Sequence, residues 1–287
     1  MAHYRCAGLR YCRWMTASPH HTPIHRFPPS LVSAALDAAL SLRAATPVFG
    51  ISGLQGSGKS TLAAQLAALG RQRGLQIAVL SLDDFYLSRA QRQALAHAVH
   101  PLLAHRGPPG THDLGLALEV LEQLRQGRRL KLPRFDKLAD ERVADDASPM
   151  MHAGADLVVL EGWCLATPPQ QQDGLILPIN PLEREEDGEG IWRGWCNAAL
   201  ERDYPDLWQQ LDALWVLQAP DFDVVPEWRW QQEGSLQSAN PAATAMTRAQ
   251  LGRFVQRFER VSRQALHTLP AIADRVIRLD AQRRIRA

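Results

Sequence analysis

An α/β protein in three layers, with helices on both faces of a mostly parallel central sheet, is what these 287 residues predict. Three observations carry that reading. Short, nearly unbroken apolar runs at 48–52, 155–160 and 211–217 have the length and composition of strands buried on both faces. Stretches of helical periodicity separate them. A glycine-rich turn over 53–58 joins the first of those strands directly to a helix.

Taken in order, residues 1–28 read as a basic, disordered tail. They are rich in Pro, His and Arg, lack the apolar core of a signal peptide, and contain Met15 as an alternative initiator. The domain is expected over 29–287. From Ser30 the sequence LVSAALDAALSL sets Leu31, Ala34, Ala35, Ala38 and Leu42 on one helical face, and Pro47 ends it. The strand at 48–52 follows, then a helix over 59–73 marked by Leu62, Leu66 and Leu69 and stopped at Gly74. A strand is expected at 76–82, a helix at 114–125, and further strands at 155–160, 211–217 and 275–279. Loops are expected at 100–113 and 132–142. The charged stretch 180–204, with Trp192 and Trp195 inside it, suits a helical lid insertion. Most of the six tryptophans from Trp192 to Trp230 are expected in the core.

Composition narrows the function. Apolar residues make up 46% and charged residues 22%, ordinary for a globular chain, which excludes a disordered, collagen-like or coiled-coil protein. No run of 18 apolar residues exists to span a membrane. The net charge is +2, and residues 1–36 hold four arginines and no acid, leaving 28 basic against 30 acidic residues elsewhere. No basic face for a nucleic acid is expected. Cys6, Cys12, Cys164 and Cys196 have neither a disulfide framework nor metal-ligand spacing, which points to the cytoplasm. Only Lys59, Lys131 and Lys137 among 32 basic residues are lysine. Codon usage accounts for the arginine background; against it, a lysine marks a position that needs a compact ammonium.

Gly53, Leu54, Gln55, Gly56, Ser57, Gly58, Lys59 and Ser60 spell a complete G-x-x-x-x-G-K-[ST] loop, followed by Thr61. Its main-chain N–H groups and the helix start behind it suit a nucleotide phosphate. Lys59 is expected on the β- and γ-phosphates, and the Ser60 hydroxyl on Mg²⁺. In SLDDFY, Asp83 stands at a strand end, where it can face the γ-phosphate and take a proton from an acceptor hydroxyl; Asp84 reads as a cap. In LVVLEGW, Glu161 is the acid that holds Mg²⁺ or orients the acceptor. The loops carry Arg106, His112, Arg134, Lys137 and Arg142, cations suited to a substrate carboxylate or the migrating phosphoryl group. Arg134, Lys137 and Arg142 are expected near one another. Arg184 or Arg193 is the candidate arginine from the lid. His100, His105 and His112 lack the spacing of a metal site.

Together the P-loop, SLDDFY, HPLLAHRGPPGTHD, LPRFDK, LEGW, the Trp192–Arg193–x3–Asn197 pattern and EWRWQQE resemble the D-glycerate 3-kinase family. That family lies in the uridine kinase, phosphoribulokinase and pantothenate kinase branch of P-loop kinases. The resemblance covers roughly 30–287. It implies a P-loop NTPase fold and ATP-dependent phosphorylation of D-glycerate, a small hydroxy acid, to 3-phosphoglycerate with Mg²⁺. On it, Asp83 matches the base, Lys59 the phosphate-loop lysine and Glu161 the Walker B acid. Tyr86, Arg106, His112, Arg134, Lys137 and Arg193 fall on the acceptor side. LPRFDK departs from related kinases, which often show a tyrosine before the aspartate, so pantothenate, a nucleoside or a sugar stays open as acceptor. A non-kinase P-loop ATPase or switch is the other alternative, but neither N-K-x-D nor L-S-G-G-Q is present.

Overall fold

A computed structural model of the chain describes residues 26–144, 147–152, 154–239 and 246–286. Most of the expected tail, with Cys6, Cys12 and Met15, lies outside those residues. Phe27 belongs to the folded body: it is buried, and the Gln65 amide holds both its N–H (3.0 Å) and its C=O (2.9 Å).

The chain runs through α1 (Pro29–Leu40), β1 (Val48–Gly53), α2 (Lys59–Gln72), β2 (Ile77–Ser81), α3 (Arg89–Ala98) and α4 (Leu114–Arg125). Four two-residue strands follow, β3 (Leu130–Lys131), β4 (Phe135–Asp136), β5 (Glu141–Arg142) and β6 (Met150–Met151). Then come β7 (Leu157–Gly162), α5 (Pro181–Glu186), α6 (Ile191–Arg202), α7 (Pro205–Trp208), β8 (Ala213–Gln218), α8 (Val225–Ala239), α9 (Arg248–Thr268) and β9 (Arg275–Arg278).

The long strands form one parallel sheet in the order β2-β7-β1-β8-β9, and the short ones pair as antiparallel ribbons, β3 with β6 and β4 with β5. Strand alternation sends Val158 and Leu160 into one apolar layer and Leu157 and Val159 into the other. Both faces are therefore covered, and the strands read as unbroken apolar runs. One layer closes under Leu121, Leu200, Leu207 and Phe258 of α4, α6, α7 and α9. The other closes under Leu36, Leu66 and Trp228 of α1, α2 and α8. Cys164 and Cys196 are buried free thiols, and among the described residues no helix is long and apolar enough to cross a membrane.

Two expectations shift. β7 and β8 begin two residues later than the apolar runs suggested, each behind an aspartate. Asp156 accepts from Gln76 N–H (2.6 Å), Asp212 from Val48 N–H (2.7 Å), and Asp274, ahead of β9, from Leu214 N–H (2.7 Å). Each carboxylate ties down the start of the neighbouring strand. In α1 the buried stripe is Val32, Ala35, Leu36 and Ala39 rather than the one through Leu31, Ala34, Ala38 and Leu42. The segment is apolar most of the way round, and burial takes the face that carries both Val32 and Leu36.

Candidate active site

At the carboxyl edge of the sheet β1 runs straight into the glycine-rich loop, which ends at the first turn of α2. Gly56 and Gly58 adopt left-handed φ of +80° and +99°. Gly56 has a second reason to be glycine, since a Cβ there would stand 2.7 Å from Trp228. The loop is braced from both ends of the sequence. Phe27 packs against Gly58, while Arg283 donates to Gly56 C=O (2.6 Å) and lies over the Trp228 ring at 5.0 Å.

Inside the loop several buried polar groups are unanswered. The Ser57 hydroxyl and the Gln55 amide are buried without hydrogen-bond partners. Buried Lys59 donates only to Leu54 C=O (3.2 Å), and burial pushes its pKa down against the pull of Glu161 and Asp83. Unanswered buried donors are costly unless an anion completes them, so the loop fits a nucleotide phosphate. Thr61 follows, half-buried, in α2. Ser60 donates to Glu161 Oε1 at 2.7 Å. A hydroxyl beside a single buried carboxylate fits Mg²⁺, which completes its shell with water and substrate phosphates. Among the described residues no group of three or more His, Cys, Asp or Glu forms a metal cage of its own.

Beyond β2 a short 3₁₀ turn, Leu82–Phe85, carries the two aspartates. Asp84 caps it by accepting from Ser81 N–H (3.0 Å) and from Arg134 (3.2 Å). Burial outweighs Arg134 and raises Asp84 to about 6. Asp83 accepts from the Tyr86 hydroxyl at 2.6 Å and from Lys137 at 2.5 Å. Burial would raise it, but the Lys137 ammonium and the Tyr86 hydrogen bond hold it well below the usual carboxylate range. His112 stacks on Tyr86 with ring centroids 4.8 Å apart. Gly110 N–H donates to the Tyr204 oxygen (3.0 Å), and the Tyr204 hydroxyl meets His112 Nδ1 at 2.5 Å. Burial pushes the His112 pKa down to about 4, and its Nε2 has no partner.

The structure therefore gathers Lys59, Ser60, Asp83, Tyr86, His112, Lys137 and Glu161 at one edge of the sheet. The β4–β5 ribbon brings Arg134 and Arg142 near one another, and Arg134 and Lys137 meet adjacent aspartates, but each cation is held by its own carboxylate. Arg134 takes Asp84, Arg142 takes Asp113 (2.7 Å), and Lys137 takes Asp83. Arg106 pairs with Asp140. Arg193 is a correction. It is 3% exposed and locked to Asp187 (3.0 Å) and to the carbonyls of Leu175 (2.7 Å) and Ile176 (3.2 Å). Asp187 also caps α6 by accepting from Trp192 N–H (2.7 Å), so Arg193 is spent on anchoring the helix. The helical insertion is docked further by the buried pair Glu183–Arg260 (2.6 Å). Arg184 is exposed on α5.

One residue was not foreseen. Arg229 of α8 donates to Gln232 (2.7 Å) and lies over the Phe254 ring at 5.7 Å, with Nε buried and unpartnered. Its charge acts on Asp83, Tyr86, Arg106 and Lys137. Its neighbour Trp228 packs on Gly56, so the start of α8 lies against the phosphate loop.

A parallel sheet that feeds a phosphate loop, with an acid at the adjacent strand end and an aspartate one strand beyond, defines a P-loop phosphotransferase. The comparisons with known proteins agree: the phosphoribulokinase / uridine kinase family profile matches residues 48–166, and the chain belongs to that family. An uncharacterised kinase of Schizosaccharomyces pombe is 34% identical over 204 residues, 67% of this chain and 71% of the relative. A chloroplastic D-glycerate 3-kinase of Arabidopsis thaliana is 31% identical over 251 residues, 81% of this chain but 52% of that protein, so this chain spans about half its length. The solved structure of a D-glycerate 3-kinase from Cryptococcus neoformans aligns with a TM-score of 0.71 at 25% identity, covering 90% of this chain and 96% of that one.

Proposed function

We propose that this protein is an ATP-dependent kinase that phosphorylates D-glycerate on its 3-hydroxyl, with Mg²⁺, giving 3-phosphoglycerate. The observation that carries the reading is Asp83: a carboxylate at the end of β2, within electrostatic reach of Lys59 and gripped by an ammonium and a hydroxyl. The D-glycerate 3-kinases among its relatives favour this acceptor.

In this reading residues 53–61 receive the triphosphate, and Lys59 supplies a point charge to its β- and γ-phosphates. Ser60 and Glu161 would hold Mg²⁺, which when bound neutralises charge on the phosphates. Asp83 takes the hydroxyl proton as the acceptor oxygen bonds to the γ-phosphorus and the bond to the β–γ bridging oxygen of ADP breaks. A carboxylate held this low is a weak base. It suffices because the proton leaves late in a loose phosphoryl transfer. A nucleoside acceptor is disfavoured by Tyr86, whose ring is stacked on His112 and meets Phe135 edge-on at 5.2 Å, leaving little face for a base.

The test is coupled ADP release over D-glycerate, pantothenate, uridine and pentose phosphates. D-glycerate should give the highest kcat/KM, with 3-phosphoglycerate as the product by ³¹P NMR. ADP release no faster with D-glycerate than with ATP alone would end the proposal.

A further inference from the structure

We propose that Arg229 is the residue that selects the acceptor: its guanidinium receives the acceptor's carboxylate and makes the site specific for anionic alcohols. This rests on the reading above, in which the acceptor meets Asp83.

The argument begins with the cations around Asp83. Arg106, Arg134, Arg142 and Lys137 each hold a carboxylate of the protein, on Asp140, Asp84, Asp113 and Asp83. Buried Arg92 also spends its charge on Asp140 (2.9 Å). An acceptor carboxylate arriving among these groups meets cations already held by protein carboxylates, with Arg89, Arg92 and Arg106 sharing Asp140. It must also come to rest beside the anion of Asp83 and the triphosphate, so it needs a cation that is still uncommitted.

Arg229 meets that need. Among the described residues no carboxylate lies within ion-pair distance of it; its contacts are the neutral Gln232 amide and the face of Phe254. Its Nε is buried without a partner, and burial pushes its pKa down while Glu233, beyond ion-pair distance on the same helix, and then Asp83 and Tyr86 pull the other way. A half-buried guanidinium whose Nε meets no acceptor carries a desolvation cost, and a bound carboxylate would offset it. Arginine also suits the task. Its planar fork binds a carboxylate through two parallel N–H···O bonds, and a ring beneath it limits how far the fork can wander. Helix α8 fixes the position from the other side, because Trp228 packs on Gly56 of the phosphate loop. The same helix that braces the donor thus presents the acceptor's counter-charge.

Three proteins decide the matter: wild type, Arg229→Gln and Arg229→Lys. Steady-state kinetics give KM and kcat for D-glycerate and ATP, and calorimetry without ATP reads D-glycerate binding directly. Arg229→Gln should raise the KM for D-glycerate by about 30-fold or more and weaken calorimetric binding in step, with kcat and the ATP KM within about 3-fold. D-glyceramide, the neutral amide, should be an equally poor acceptor for wild type and Arg229→Gln, so the carboxylate preference collapses in the variant. Arg229→Lys should recover part of it. An unchanged KM in a folded variant, or a loss confined to kcat, overturns the proposal. If Arg229→Gln does not fold, Arg229→Lys decides, since it keeps the charge and loses the fork: a raised KM supports the proposal and an unchanged one overturns it. If wild type ignores D-glycerate but phosphorylates another anionic alcohol, the function proposed above fails and the same variants test Arg229 on that acceptor. A preference for an uncharged alcohol overturns both.

Discussion

The phosphate loop and the acceptor side share one edge of the sheet and are built on opposite principles. In the loop, Ser57, Gln55 and Lys59 offer donors that nothing in the protein answers fully. On the acceptor side Lys137, Arg134, Arg106 and Arg142 are each matched to an aspartate. An unmatched donor set takes an anion without giving anything up. A matched one binds only by exchanging partners, so affinity comes at the cost of bonds already made. The first arrangement suits a ligand common to many kinases, and the second suits discrimination among acceptors.

The most drastic way to break this contrast is at Lys59. If the loop is an unanswered anion cradle, Lys59→Ala should lower turnover by about three orders of magnitude or more with the fold intact. Near wild-type kcat in a folded variant would remove the donor half of the comparison. Next is Asp83→Asn, which keeps shape and removes the basic oxygen. A loss of about 10²–10⁴, mostly in kcat, is expected, with ATP affinity nearly unchanged. Asp84→Asn is the internal control and should do far less, because Asp84 caps the 3₁₀ turn and holds Arg134. A reversed order would show that the two carboxylates have exchanged roles.

Lys137 sharpens the matched side. Its side chain is 57% exposed, so Lys137→Met should fold normally. Asp83 then loses the cation that lowers it, and the acid limb of kcat/KM should move up by about 1–3 pH units. An unmoved limb would mean that Lys137 does not set the basicity of Asp83. The smallest effect is in stability. His112 titrates at about 4 in the folded chain, below the ordinary histidine value of 6.5. Its contribution is complete above 6.5 and is lost as pH falls through 4, because the unfolded chain takes up the proton first. The advantage of wild type over His112→Gln in urea unfolding should therefore shrink by about 2–3 kcal/mol across that window. Asp84, raised to about 6, has the opposite sign: its contribution is present below the unfolded value near 3.8 and is lost as pH rises through 6.

How much of this was legible follows from how far apart the partners lie. The phosphate loop spells its own geometry in eight consecutive residues, and Asp83 and Glu161 follow from standing at strand ends. Asp84 as a cap is equally local, since its partner Ser81 is three residues away. The parallel order of the sheet was readable because the apolar runs lack a polar face. The failures are tertiary. Arg193 looked like a mobile arginine in a charged stretch, but carbonyls at 175 and 176, in a turn before α5, claim it. Arg134 and Arg142 do come close through the β4–β5 ribbon, but their separate partners Asp84 and Asp113 could not be read from spacing. Arg229 lies inside EWRWQQE, read only as part of a family resemblance; its contacts with Gln232 and Phe254 come from the fold. The phase of α1 was open because alanine fills more than one of its faces.

The hydrogen bond from Arg283 to Gly56 also has a consequence in time. Synthesis exposes the phosphate loop early, but the side chain that holds its Gly56 carbonyl comes 227 residues later, a delay on the order of 10–50 s at about 5–20 residues per second. Trp228, the floor under the same glycine, is also made late. A nascent chain therefore carries the whole nucleotide motif long before it carries the brace, and the loop is held in full only once residue 283 has been made.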